Sequence, residues 1–193
     1  MTFIRHAQGE HTVSPPDSLQ TIDPALTDYG FWQAARLTDQ VKAGPADLLV
    51  VSPMRRTLQT ASLWSSNARC AKYVHPAVGP RMFPVLDESR AFKCDTPLPV
   101  ETIQRDFPEF QILTDTGITW HKGINAIPDE AFESIADSFI AWCKSFNKQR
   151  VFIVSHDGTI TSYRRYLGEI GVTRNDFLGE TGWYTLNISC REN

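Results

Sequence analysis

The stretch Asp47-Leu48-Leu49-Val50-Val51-Ser52-Pro53-Met54-Arg55-Arg56-Thr57 decides the fold. Leu48 to Val51 are consecutive aliphatic residues with no polar alternation, the pattern of a strand covered on both faces. Such a strand implies a sheet with helices on each side. The run then turns polar at Ser52, and Pro53 stands near the start of a helix through about Ser65, where a missing N–H costs little. The stretch therefore reads as a buried strand that delivers a polar cluster from its carboxyl end.

Two other stretches share this layout. Thr2–Arg5 reads as a short strand ending in Arg5-His6-Ala7-Gln8-Gly9-Glu10, and Arg150–Ser155 (RVFIVS) as a buried strand ending in His156-Asp157-Gly158. Around them, strand and helix signals alternate. Thr27–Ala43 reads as a helix, with Thr27 or Asp28 as N-cap and Phe31, Ala34, Ala35, Thr38 and Val41 drawing one face. Pro128–Asn147 is the most regular helix, through Ala131, Ile135, Phe139, Trp142, Cys143 and Phe146. Thr159–Leu167 reads as helical, Tyr73–Val74 and Met82–Leu86 as short strands, and Trp183–Ile188 as an edge strand. The expected fold is α/β: a three-layer α/β/α sandwich with a mainly parallel central sheet.

At 193 residues the chain reads as a single domain over 1–193, with a substrate-covering insertion at about 88–127 whose apolar periodicity is too weak for its own core. Hydrophobic residues at 41% and charged residues at 21% exclude a disordered chain. The net charge of −3 argues against nucleic acid or a membrane surface as partner, so a bound anion must meet a local positive cluster. No apolar run is long enough for a membrane span, and charge by position 5 argues against a signal peptide. Cys70, Cys94, Cys143 and Cys190 form no CxxC pair and read as reduced thiols of a cytoplasmic protein.

In an open α/β sheet, ligands bind outside the carboxyl ends of the strands. If the three strand ends converge, the crevice holds Arg5, Arg56, His6 and His156, a set that fits a tetrahedral dianion. Imidazole can act as a nucleophile there, and neighbouring guanidiniums disfavour its protonation. An alkoxide leaving group needs a proton, and Glu88 and Asp157 are the available carboxyls.

These residues resemble the histidine phosphatase superfamily, with its phosphoglycerate mutase-like fold, and its small phosphatase branch in particular. The family's Arg-His-Gly opening is matched by Arg5-His6-Ala7. Its D-x-x-L-T-x-x-G segment is matched by Asp23 to Gly30, and its S-P-x-x-R-x-x-Q-T-A by Ser52 to Ala61. L-x-E is matched by Leu86-Asp87-Glu88, C-D-T by Cys94-Asp95-Thr96, and the closing S/T-H-G by Ser155-His156-Asp157. The resemblance implies a phosphomonoester hydrolase acting on a small phosphorylated metabolite. It implies His6 as the nucleophile that becomes phosphohistidine, Arg5, Arg56 and His156 as the phosphate clamp, and Glu88 as proton donor, with no metal and no organic cofactor.

The departures are specific. Ala7 replaces a glycine, and Pro97 follows Cys-Asp-Thr where glycine is common. Thr12 stands where a phosphate-contacting asparagine is usual, and its hydroxyl can substitute. Asp157 replaces a glycine; it is a rival donor, because the acid-phosphatase branch uses a His-Asp pair, or else a helix cap. The alternative function is a non-catalytic phosphate-binding or protein-interaction module on the same fold. A mutase is less favoured, because the long segment such mutases use to hold a phosphoglycerate is not recognisable.

Several residues read as structural. Arg55 is expected to be a solvated helix residue and Cys94 a packing residue. His11, His75 and His121 lack metal-ligand spacing. The substrate must be set by the 88–127 segment, where Phe92, Lys93, Arg105 and Trp120 could form an apolar wall and a positive rim, with Trp120 alternatively anchoring its loop on the core. The substrate's identity and the oligomeric state are not legible.

Overall fold

The structure, a computed structural model, describes residues 1–186; Asn187 and Ile188 of the expected last strand, and Cys190, lie outside the described residues. Six strands form one sheet: β1 (Thr2–Arg5), β2 (Leu48–Val51), β3 (Ala71–Val74), β4 (Gln111–Ile112), β5 (Val151–Ser155) and β6 (Trp183–Thr185). Their order is β4-β3-β2-β5-β1-β6. Every pairing is parallel except β1 with β6. All residues of β2 and β5 are buried, as their unbroken apolar runs require for strands covered on both faces.

The helices are α1 (Asp28–Gln40), α2 (Arg55–Trp64), α3 (Val100–Asp106), α4 (Asp129–Ser145) and α5 (Asp157–Tyr166). Alternation along the strands sends side chains to two cores. Leu37 of α1, Leu58 and Trp64 of α2 and Ile103 of α3 pack with Ile4, Leu49, Val51 and Val154. Phe132 and Phe139 of α4 and Ile160 and Tyr163 of α5 pack with Phe3, Leu48, Val50 and Ile153. This is the three-layer α/β/α arrangement with a mostly parallel sheet. Among the described residues no helix is long and apolar enough to cross a membrane.

Three local readings change. Helix α1 is capped as expected, the Gly30 amide donating to Thr27 Oγ1 at 3.0 Å. Its buried face is Gly30, Ala34 and Leu37, whereas Phe31 and Trp32 are 39% and 53% exposed. Small residues face inward here because the helix lies close to the chain: a Cβ on Gly30 would sit 2.0 Å from the Gln8 carbonyl oxygen. Met82–Leu86 is irregular rather than a strand. The strand beside β3 is instead β4, inside the 88–127 segment, which also sends Leu98, Ile103, Phe107 and Phe110 into a core.

Candidate active site

The carboxyl ends of β1, β2 and β5 lie side by side, since β5 pairs with both β1 and β2. They open into a cavity of about 440 Å³, within the range of small-molecule sites. Arg5, His6, Arg56, His156, Thr12 and Asp157 all line it. Glu88 does not; it is exposed on the single-turn helix Glu88–Arg90, although its neighbours Leu86 and Arg90 are in the wall.

His6 follows directly from β1 and is 3% exposed. Its Nδ1 lies 2.7 Å from the Ala7 carbonyl oxygen. A carbonyl only accepts, so Nδ1 carries the proton and Nε2 the lone pair. Burial is the main force holding this imidazole well below its ordinary pKa, and Arg56, His11 and Arg5 add repulsion. His6 is therefore neutral, with a nucleophilic nitrogen.

His156 is fixed in the opposite tautomer. Its Nδ1 lies 3.3 Å from Arg56 Nη2, which can only donate, and its Nε2 lies 2.8 Å from Ser52 Oγ. Nδ1 therefore accepts, and Nε2–H donates to the hydroxyl. Burial, then Arg56, His6, His11 and Arg5, lower its pKa well below normal. The two rings meet edge to face with centroids 5.1 Å apart.

Arg5 and Arg56 already have partners. Arg5 donates to the Leu178 carbonyl at 2.6 Å and pairs with Asp157 Oδ2 at 3.1 Å. Arg56 donates to the Cys94 carbonyl at 2.7 Å and pairs with Asp95 Oδ1 at 3.2 Å. Both Nε atoms are buried without a hydrogen-bond partner, as is His11 Nδ1. Buried donors are rarely left so, and an anion between the two guanidiniums would satisfy them.

Thr12 donates to the Gly9 carbonyl at 2.9 Å and lies 3.3 Å from Glu180 Oε1, so its one proton is already engaged. Asp157 is the first residue of α5 rather than its cap, which is His156 with no side-chain cap bond; Asp157 Oδ1 accepts from the adjacent Gly158 amide at 2.6 Å while Oδ2 pairs with Arg5. Ala7 is fully buried and packs with Leu26 and Ala34, and its amide donates to Thr60 Oγ1 at 3.1 Å. The methyl is thus absorbed by the core and does not enter the cavity wall.

The structure adds residues that the sequence did not single out for this site. Asp95 is a cavity carboxyl whose pKa is raised by burial against the opposing pull of Arg56. His11 lies beside His6, ring centroids 5.3 Å apart, and burial with Arg56 and Arg5 lowers its pKa to about 3. Phe83, Arg174 and Phe177 close the outer wall. His6 and His156 were legible in the sequence motifs; the approach of His11 to His6 and the contact of Phe83 with Phe177 were not.

Other expectations change. Arg55 is not solvated: it bridges Asp23 at 2.7 Å and Asp106 at 3.1 Å, tying the loop before α1 to α3. Of the proposed substrate wall, Phe92 lines the cavity, while Lys93, Arg105 and Trp120 do not. Trp120 anchors its loop by donating to the Leu98 carbonyl at 2.7 Å. Cys94 is buried, as expected of a packing residue, and burial, then Asp95, push its thiol up to about 12.

Residues 1–189 match the family model described as "Histidine phosphatase superfamily (branch 1)". A phosphoglycerate mutase-like protein of Arabidopsis thaliana is 28% identical over 195 residues, covering 81% of this chain and 70% of the relative. A Schizosaccharomyces pombe protein named "Probable phosphatase" is 29% identical over 110 residues, 56% of this chain and 49% of its own length. The alpha-ribazole phosphatase of Shigella flexneri has a similar fold, with a TM-score of 0.56 at 22% identity over 94% of this chain and 87% of that one.

Proposed function

Because the chain belongs to the histidine phosphatase superfamily, branch 1, we propose that it hydrolyses a small phosphomonoester through a phosphohistidine at His6. His6 Nε2 attacks phosphorus in line, a P–N bond forms, and the P–O bond to the leaving group breaks. Arg5, Arg56 and His156 hold the other phosphoryl oxygens, where negative charge must be stabilised in the transition state. The leaving oxygen takes a proton from Glu88. The same carboxylate then takes a proton from water, which attacks phosphorus, breaks the P–N bond and releases inorganic phosphate.

One observation carries this reading: a neutral, lone-pair Nε2 on His6 shares a cavity with two guanidiniums whose buried Nε atoms have no partner. His156 joins the clamp through Nδ1, which needs a proton to donate. A dianion offsets the guanidinium charge that adds to burial in keeping this ring neutral, so phosphate binding and protonation of His156 are coupled. Glu88 is assigned from the L-x-E match and from the cavity walls on either side of it. Asp157 stays the rival donor, since it lines the cavity.

Turnover of benzyl phosphate, compared between the parent and His6→Ala, tests the proposal. A rate that falls by several orders of magnitude is expected for loss of a nucleophile. Equal, near-zero rates would leave the non-catalytic binding module. The proposed reaction needs no metal, so a chelator should not change the rate; loss restored by zinc would overturn that. With the poor leaving group of this substrate, Glu88→Gln should slow phosphorylation more than Asp157→Asn, and the reverse order would reassign the donor.

A further inference from the structure

The cavity lining includes more than the residues proposed to hold phosphate. Met82, Phe83, Leu86, Phe92 and Phe177 give it an apolar wall. Phe83 and Phe177 have ring centroids 6.3 Å apart, and the Arg174 guanidinium lies over Phe177 at 5.3 Å. Arg90 stands in the same wall.

Arg5, Arg55, Arg56, Arg81, Arg105, Arg150, Arg164 and Arg165 are each within ion-pair distance of a carboxylate. Among the described residues Arg36, Arg69, Arg90 and Arg174 are in no such pair, and of these four Arg90 and Arg174 line the cavity. The inner carboxylates Asp95 and Asp157 are held by the clamp arginines and do not neutralise the outer pair. An apolar, ring-rich wall bordered by two uncompensated guanidiniums matches a flat apolar body that carries an acidic group.

We propose that the substrate is a phosphomonoester whose leaving group bears an aromatic ring and, beyond it, a second anion, carboxylate or phosphate. The ring lies against Phe83, Phe92 and Phe177, and the anion is held by Arg174 and Arg90. This rests on the phosphatase reading above and names the substrate class of the same site.

A panel with one kind of leaving oxygen tests it: glycerol 3-phosphate, benzyl phosphate, 4-carboxybenzyl phosphate and 4-phosphonobenzyl phosphate. All leave as primary alkoxides, so differences report the rest of the molecule. The expected order of kcat/KM puts both acidic benzyl esters first, then benzyl phosphate, then glycerol 3-phosphate, with roughly tenfold steps, about 1.4 kcal/mol each. Comparison of the carboxy and phosphono arms identifies the second anion.

In the Arg90→Ala, Arg174→Ala double variant, the ratio of acidic to plain benzyl ester should fall to near one. In Phe177→Ala, the ratio of benzyl to glycerol ester should fall. His6-dependent hydrolysis with no preference for the ring, or a preference untouched by these variants, would overturn the substrate class while sparing the phosphatase reading. If nothing on the panel is hydrolysed, the phosphatase reading fails. Calorimetric binding of the same compounds to His6→Ala then still decides the substrate class: the same ranking is expected, and equal affinities for benzyl and glycerol esters would overturn it.

Discussion

At the scale of single residues, the site is governed by which atom of each ring or fork is already engaged. The Ala7 carbonyl fixes His6 with Nε2 as its basic nitrogen, and Arg56 and Ser52 fix His156 the other way round. Asp157 matters for a similar reason. It stands 3.1 Å from Arg5, so a phosphate bound as proposed would compete with a carboxylate already on that guanidinium. Asp157→Asn removes that charge and keeps the shape. Inorganic phosphate should then bind roughly tenfold more tightly, within the range of one charge-assisted contact. An unchanged or weaker inhibition constant would mean that the Asp157 carboxylate does not compete for Arg5.

Among the elements, α1 shows how a helix is placed by what it lacks. Alanine is favoured over glycine inside a helix by roughly 1 kcal/mol. At Gly30, however, a Cβ would stand 2.0 Å from the backbone oxygen of Gln8, two residues after the proposed nucleophile. Gly30→Ala is therefore expected to destabilise the protein by about 1–3 kcal/mol, the usual cost of overpacking, and to lower turnover by displacing the His6 segment. A stability equal to or above the parent's, read from urea unfolding, would show that α1 can move away freely. Gly158 has the same constraint on α5, where a Cβ would lie 2.2 Å from the Arg81 carbonyl oxygen. The helix after each of β1 and β5 is thus docked through a glycine near its start.

For the molecule as a whole, four buried histidines link stability to pH. Burial lowers His75 to about 4, and burial with Arg56 and Arg5 lowers His11 to about 3; His6 and His156 are also driven down. In the unfolded chain each titrates near 6.5. Below that value the unfolded state binds more protons, so stability rises with pH. The contribution is complete above about pH 6.5 and is lost as pH falls toward the folded values, by up to about 1.4 kcal/mol per unit for each histidine. His75 lies away from the cavity, packed on Phe139 and Trp142. His75→Gln should flatten the fall of unfolding free energy between pH 6.5 and 4.5 relative to the parent. Parallel curves would rule out a neutral buried ring at this position.

Much of this architecture was legible before any coordinates. The unbroken apolar runs before Ser52 and His156 specify strands buried on both faces, a short strand precedes His6, and Thr27 marks the start of α1. The ordered motifs name the groups that meet at the cavity. These are local properties, carried by a few consecutive side chains and their hydrogen-bonding needs. Tertiary structure decided what depends on distant backbone: the short β4 strand, the inward face of α1, the Asp157–Arg5 pair, the protonated nitrogen of each site histidine, and the outer wall that brings Phe83, Arg174 and Phe177 together. Sheet register and loop packing set those contacts, and neither leaves a periodic trace in the chain.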